Sequence, residues 1–363
     1  MGANVSNFTI YDYAFFGMDN VNWTVFGLSF AEEVLTITNN SIPGQVTYSV
    51  ANNPAVDQFV ISYSTVTGGF IINDVVASRD GYLVFEAHNV GSFITSGDII
   101  NNDLFSNIPL DGFNTFNGNS YNDVIDAGAG DDVVYGNGGN DTVFGGFGND
   151  FLVGGAGYDV LYGGYGDDTF VLDNPLDQFA DDGGTDTLIV TYNDAALPDG
   201  PNWIENLVFS GVGDFYGRGN ILSNVIIGGN GKDKLAGMGG NDILTGGLGK
   251  DAFMFDTKLG TARTDRKVNF DTLNDFSTKD DSLYLDNAIF KKLGKKGSEQ
   301  KPIKLDKKFF ALDKAKDKDD YVIYNKKTGV LSYDADGSGK GQAVEFALLK
   351  NKATLKYDDF FVI

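Results

Sequence analysis

GNSYNDVID-AGAGDDVVY-GNGGNDTVF-GGFGNDFLV-GGAGYDVLY-GGYGDDTFV, residues Gly118 to Val171, is one nine-residue unit written six times without a gap. A second block, GNILSNVII-GGNGKDKLA-GMGGNDILT-GGLGKDAFM, runs from Gly219 to Met254. Both follow G-G-x-G-x-D-x-U-x, where U is a large apolar residue. Glycines hold the first, second and fourth places: Gly128, Gly130, Gly136, Gly139, Gly145, Gly146, Gly148, Gly154, Gly155, Gly157, Gly163, Gly164 and Gly166, then Gly228, Gly229, Gly231, Gly237, Gly240, Gly246, Gly247 and Gly249. They allow backbone geometry closed to residues with a Cβ, so six residues can turn tightly with their carbonyls aimed inward. The sixth place supplies a carboxylate: Asp123, Asp132, Asp141, Asp150, Asp159, Asp168, Asp233, Asp242 and Asp251, with Asn224 as the uncharged exception. Carbonyl and carboxylate oxygens are the ligands a hard cation such as Ca2+ prefers. The eighth place supplies a core: Ile125, Val134, Val143, Leu152, Leu161 and Phe170, then Ile226, Leu235, Leu244 and Phe253. One side chain per short strand should therefore point inward.

This pattern closely resembles the nonapeptide of the repeats-in-toxin (RTX) family of secreted bacterial proteins. The resemblance implies a parallel β-roll in which two nonapeptides make one coil and each calcium ion sits between unit n and unit n+2. Six units then give four such pairs and four units give two, so about six full sites are expected, with weaker ones at the ends. The first unit of each block lacks several glycines, as capping turns often do.

Charge is distributed to match. The formal net charge is −23, yet residues 1–231 carry only two basic residues, Arg79 and Arg218, against 29 acidic ones, while residues 232–363 carry 25 basic and 21 acidic. Repulsion along one acidic array should keep it unfolded until cations neutralise it. Low calcium would then leave the chain extended, and millimolar external calcium would fold it. No nucleic-acid partner is expected of such a surface.

The chain contains no cysteine, which removes disulfides, thiol catalysis and Cys-based zinc sites. The first thirty residues hold no basic residue and no apolar run before a small-residue cleavage site, so no ordinary export signal is expected there. No stretch is long or apolar enough for a stable membrane span. From Phe255 the chain reads FDTKLG, VNFDTLNDFSTKDDSLYLDNAIFKKLG and YVIYNKKTGVLSYDADGSGKG, then YDDFFVI. This is similar to the serralysin-like C-terminal region of RTX proteins. The resemblance implies export from a Gram-negative bacterium by type I secretion machinery through an uncleaved signal. Asp358, Asp359, Phe360, Phe361, Val362 and Ile363 have the form of that signal, although a short apolar terminus is also what a last β-strand looks like. The lysines between Lys291 and Lys327 read as a solvated face.

Asp334-Ala-Asp336-Gly-Ser338-Gly339 with Glu345 fits the ligand spacing of an EF-hand loop. Its flanks, Val330–Tyr333 and Ala343–Phe346, alternate like strands, so a calcium loop and a tight hairpin stay open as readings. Between the blocks, GGTDTLIV and WIENLVFSG are short strand-like runs. The resemblance implies that this insert continues the β-stack without binding turns. Asp181, Asp182 and Asp186 could ligate a cation there, though exposed turn acids are the commoner case.

In residues 1–112, apolar or alternating runs at Asn7–Phe16, Trp23–Phe30, Val34–Thr38, Val46–Val50, Phe59–Tyr63, Phe70–Val76 and Tyr82–Glu86 are broken by turn residues. Seven strands or so at that spacing predict a small antiparallel sandwich or barrel. The expected organisation is therefore all-β: residues 1–112 a β-rich domain, 113–171 roll block one, 172–218 the insert, 219–256 block two, and 257–363 a β-rich C-terminal cap with the secretion region.

Catalysis finds little support. His88 is the only histidine, so no HExxH zinc site exists and a metalloprotease is excluded. Gly27-Leu-Ser29-Phe-Ala31 lacks the last glycine of a nucleophile elbow. Acid pairs such as Glu32 with Asp57, or Asp80 with Glu86, could serve a glycosidase or lyase, but their separation in space is not legible. The ninth repeat places, Tyr135, Val153 and Val171 on one face and Phe144 and Tyr162 on the other, should face out to stack on sugars or, more commonly, dock a neighbouring domain. The expectation is a secreted, non-enzymatic calcium-binding protein whose N-terminal region binds extracellular polysaccharide or a cell surface. A secreted polysaccharide-active enzyme and a membrane-acting, pore-forming effector are the alternatives.

Overall fold

In the computed structural model the nonapeptides wind into a parallel β-roll, because each contributes a strand of about three residues with one apolar side chain at its centre. The structure describes residues 112–118, 120, 122–200, 204–261 and 266–363 in full, and only the backbone of seven strands before them. Those seven are β1 (Phe8–Ile10), β2 (Glu33–Asn39), β3 (Gln45–Val50), β4 (Gln58–Val66), β5 (Gly69–Arg79), β6 (Tyr82–His88) and β7 (Phe93–Thr95). Strands β2 to β6 pair antiparallel in chain order, β7 pairs with β5, and β1 lies parallel to β2. Whether they close into a sandwich or a barrel lies outside the described residues, as do Trp23–Phe30, the Gly27–Ala31 segment, Glu32 and Asp57.

The chain divides into two compact units, Met1–Val171 with Leu176–Gly184, and Leu172–Pro175 with Thr185–Ile363. In the first, block one supplies β8 (Thr115–Asn117), β9 (Val124–Asp126), β10 (Val133–Tyr135), β11 (Thr142–Phe147), β12 (Phe151–Val153), β13 (Val160–Tyr165), β14 (Thr169–Leu172) and β15 (Gln178–Ala180). Strands β8, β10, β12 and β14 form one parallel ladder, and β9, β11, β13 and β15 the other. Partners such as Val134 and Leu152, or Val143 and Leu161, lie eighteen residues apart, so two nonapeptides make one coil. All six eighth-place residues are buried, and Phe116 joins them. Strand β6 pairs antiparallel with β8 and leads the N-terminal strands into the roll.

The second unit repeats this plan with β16 (Thr187–Val190), β17 (Asp194–Ala196), β18 (Asn206–Phe209), β19 (Tyr216–Arg218), β20 (Val225–Gly231), β21 (Lys234–Ala236), β22 (Ile243–Gly249), β23 (Ala252–Phe255), β24 (Asp271–Leu273) and β25 (Ser282–Leu285). Even- and odd-numbered strands again form separate parallel ladders. The insert thus continues the stack, with a nineteen-residue step from Leu188 to Leu207 and from Leu207 to Ile226. Further on come β26 (Ile303–Lys304), β27 (Phe310–Leu312), β28 (Val322–Asn325), β29 (Val330–Tyr333), β30 (Val344–Leu349) and β31 (Phe360–Val362). Strand β30 extends the ladder of β24, and β31 that of β25. The end of the tail folds as β31: Phe360, Val362 and Ile363 are buried, and Ile363 packs with Ala236 and Met254. All lysines from Lys291 to Lys327 are exposed.

Candidate metal centre

Each turn is compressed against the one eighteen residues away. Gly148 has φ +120° and a Cβ there would overlap the Gly130 carbonyl; Gly146, at φ +109°, would likewise strike the Gly128 carbonyl. Only glycine satisfies both the left-handed backbone and the close approach. The third place lacks either constraint and accepts Ala129, Phe147, Ala156 and Tyr165.

The sixth-place aspartates form a ladder along each edge. The backbone N–H groups of Asp123, Asp132, Asp141 and Asp150 donate to Oδ1 of Asp141, Asp150, Asp159 and Asp168 respectively, each at 2.8 Å. In the second unit Phe215, Asn224 and Asp233 donate to Asp233, Asp242 and Asp251 in the same way. The other oxygen has no such donor: Oδ2 of Asp132, Asp141, Asp150, Asp233, Asp242 and Asp251 is buried without a hydrogen bond. It faces the first-place glycine. A Cβ on Gly145 would overlap Asp150 Oδ2 and come within 2.7 Å of the Gly163 carbonyl oxygen, so oxygens of two stacked turns converge on one cradle. Gly136 with Asp141 and the Gly154 carbonyl, and Gly228 with Asp233 and the Gly246 carbonyl, repeat that geometry.

A buried carboxylate oxygen without a partner is costly, and an all-oxygen cradle of alternating carboxylates and carbonyls is what Ca2+ compensates. Without a cation, burial pushes Asp132, Asp141, Asp150 and Asp251 up to about 6. Asp168 rises to about 8, through burial and then the nearby Asp150 and Asp181 charges. Asp242 rises to about 9, through burial and the Asp271 charge.

Asn224 provides an internal contrast. Its amide nitrogen donates to the Glu205 carbonyl at 3.1 Å and to Asn220 Oδ1 at 3.1 Å, and its Oδ1 accepts from the Asn220 N–H at 2.9 Å. Its Oδ1 still faces Gly219 and the Gly237 carbonyl as the aspartate oxygens face theirs, so this rung keeps the cradle without the charge.

Several rungs were missed because they lack the glycines. Asn114 accompanies Phe116 one unit before Gly118, and its N–H donates to Asp132 Oδ1 at 2.7 Å. Asp177 accepts from the Asp159 N–H at 3.1 Å, Asp271 from Asp242 at 3.1 Å, and Asp281 from Asp251 at 3.0 Å. Their signal was the carboxylate or amide two places before an apolar residue, as in Asp271-Thr-Leu273. The turn after block one keeps a rung at Asp177 and buries Asp181, whose Oδ1 lies within 2.5 Å of a Cβ at Gly163. Asp182 is exposed, and Asp186 is fully buried in the second unit.

Residues 334–343 are the loop that joins the antiparallel strands β29 and β30. Asp336 Oδ2 accepts from the Gly341 N–H at 3.0 Å, and Glu345 is ion-paired with Arg266. Among the ninth-place residues, Phe144 and Tyr162 stack with centroids 4.8 Å apart and remain partly exposed, as does Tyr135.

The fold and its cradles define a calcium-binding parallel β-roll. Residues 110–143, 144–174 and 218–253 match the family model of the RTX calcium-binding nonapeptide repeat, which spans four copies. These stretches are RTX calcium-binding nonapeptide repeats, and such repeats bind Ca2+. A search of curated proteins found no match.

Proposed function

We propose that this is a secreted, non-enzymatic calcium-binding protein whose roll folds when it meets calcium outside the cell. The observation that carries the reading is the ladder of buried Oδ2 atoms without donors, facing cradles that only glycine leaves open. Like charges stacked at that density oppose folding until a divalent cation intervenes. Calcium-poor cytoplasm would keep the chain extended for type I export, directed by residues 257–363. Calcium outside would then fold the roll, and the N-terminal region would present a binding surface for extracellular polysaccharide or a cell surface. No helix among the described residues is long and apolar enough to cross a membrane.

Far-UV circular dichroism and small-angle scattering of the full chain, with calcium and with chelator, test the folding step. Strand signal and compaction that appear only with calcium support it; identical profiles in both buffers refute it. For the binding role, the calcium-loaded chain is applied to an array of polysaccharides, where saturable binding is expected and its absence removes that part.

A further inference from the structure

We propose that the lysine-rich segment Lys291–Lys327 of the C-terminal cap is a docking surface for an acidic polysaccharide, recognised through its repeated carboxylates or sulfates. The inference rests on the extracellular reading of the chain, and it adds a surface distinct from the N-terminal region and from the calcium cradles.

The charge here is concentrated and unspent. The segment holds 13 of the chain's 27 basic residues, all of them lysine, against six acidic ones, a local surplus of +7 in a chain of net charge −23. All thirteen lysines are exposed. Among the described residues, ion pairs are made by Arg218, Lys234, Arg266 and Lys279, and by none of these lysines. The acids, by contrast, are occupied within the fold. Asp306 Oδ1 accepts from the Lys308 N–H at 3.1 Å, Asp313 Oδ1 from the Lys326 N–H at 3.2 Å, and Asp317 Oδ1 from the Asp319 N–H at 2.9 Å. Asp320 Oδ2 takes the Lys316 and Asp317 N–H groups, and Glu299 lies 3.8 Å from Lys234 Nζ. Carboxylates hold the backbone in place while the ammonium groups are left to solvent.

The fold fixes where those ammonium groups stand. Ile303 and Lys304 pair with β31, the Leu305 N–H donates to the Phe360 carbonyl at 2.9 Å, and the Phe310 ring lies 5.4 Å from that of Phe360. Asp306 caps the short turn Lys307–Phe309, and a Cβ on Gly294 would stand 3.2 Å from the Phe309 ring. The Lys295–Lys296 and Lys307–Lys308 pairs therefore sit on neighbouring stretches of backbone. Lys304 Nζ stands 5.8 Å over the Phe361 ring, and Lys308 Nζ 4.7 Å over that of Phe309.

The chemistry favours a hydrated polyanion. A lysine ammonium is a strongly hydrated point charge, and no arginine follows Arg266 to supply the planar fork that grips a phosphate in two places. Ile303 is the one large apolar side chain exposed among residues 291–363, so no exposed ring offers a base a stacking face and no apolar stripe can enter a bilayer. An acidic polysaccharide presents negative charges at regular intervals, each kept in water, which is what such a surface attracts.

The test is binding of the full chain in calcium to hyaluronate, a carboxylated polysaccharide, with neutral dextran beside it, by biolayer interferometry over a range of salt. The wild type should bind hyaluronate more weakly as salt rises. Lys295→Glu, Lys296→Glu, Lys307→Glu and Lys308→Glu combined should weaken that binding about tenfold or more and flatten its salt dependence, whereas arginine at the same four positions should bind like wild type. Calcium titration by circular dichroism shows whether each variant folds; should the glutamate variant fail, glutamine at the same positions is measured, with the same loss expected. Hyaluronate binding that these substitutions leave unchanged overturns the proposal and returns polysaccharide binding to the N-terminal region. Tighter binding of duplex DNA or of phosphatidylglycerol vesicles overturns it too, as does self-association that depends on the four lysines without hyaluronate binding, which makes a second copy the occupant. A wild type that binds dextran alone removes only this surface, and one that binds neither polymer removes the polysaccharide role with it.

Discussion

Asp150→Ala strikes the middle of the block-one ladder, and its consequences divide into two parts. Asp150 Oδ1 accepts the buried Asp132 N–H at 2.8 Å, so truncation strands a donor at a cost of about 1–3 kcal/mol, or roughly 5- to 150-fold in the folding equilibrium at fixed calcium. The second part is electrostatic. The turn ending at Asp150 stacks between those ending at Asp132 and Asp168, so two calcium cradles lose a carboxylate. Asp123→Ala, by contrast, alters the first unit of the block, whose backbone N–H donates to Asp141. Calcium titrations followed by circular dichroism should show a higher midpoint and shallower slope for Asp150→Ala than for Asp123→Ala. Asp150→Asn, which keeps the acceptor, should fall between wild type and Asp150→Ala. Equal midpoints for the Asp150→Ala and Asp123→Ala variants would refute the stacked-turn reasoning.

Gly148→Ala should abolish cooperative calcium folding, since a Cβ meets the Gly130 carbonyl, whereas Gly138→Ala, whose Cβ finds nothing nearer than 3.8 Å, should fold like wild type in the same titration. Acid should partly replace calcium. The calcium-free roll retains protons on Asp132, Asp141, Asp150 and Asp251 up to about pH 6, while the unfolded chain releases them near 4. Its stability is therefore greatest below about pH 4 and falls as pH rises through 4 to 6. In chelator, scattering should report a more compact chain at pH 4 than at pH 7, and the calcium midpoint should rise on acidification from pH 7 to 5. Asn224→Asp, which replaces an amide donating to the Glu205 carbonyl with a charge, should lower stability in chelator, measured as a lower urea midpoint of residual structure.

Much of this was legible because the nonapeptide encodes two things at once. Asp-x-U fixes the rung and the core residue, and glycines at places one, two and four fix the compressed turn. Where both survive, as from Gly145 to Leu152, sequence and structure coincide residue by residue. Where the glycines are gone the rung persists unseen: Asp177, Asp271 and Asp281 occupy ladder places because backbone pairing and core packing need only the Asp-x-U half. The loops preceding Asp271 and Asp281 then differ in length, which hides the period. The tail Phe360–Ile363 carried two readings because an acidic pair before an apolar run suits both a secretion signal and a closing strand. Tertiary pairing with β25 decides its folded state, and no local pattern encodes a partner 77 residues away in sequence, as Leu283 is from Phe360. Glu345 matched a calcium-loop spacing, but only the fold reveals Arg266 beside it.

The most direct test of calcium coordination by the repeats is an anomalous difference map from crystals grown in calcium. Peaks should stand between stacked turns beside Asp141, Asp150, Asp233 and Asp242, within 2.3–2.6 Å of their Oδ2 atoms and of facing carbonyls. Water or no density at those aspartates, in a roll that is otherwise folded, would contradict the account.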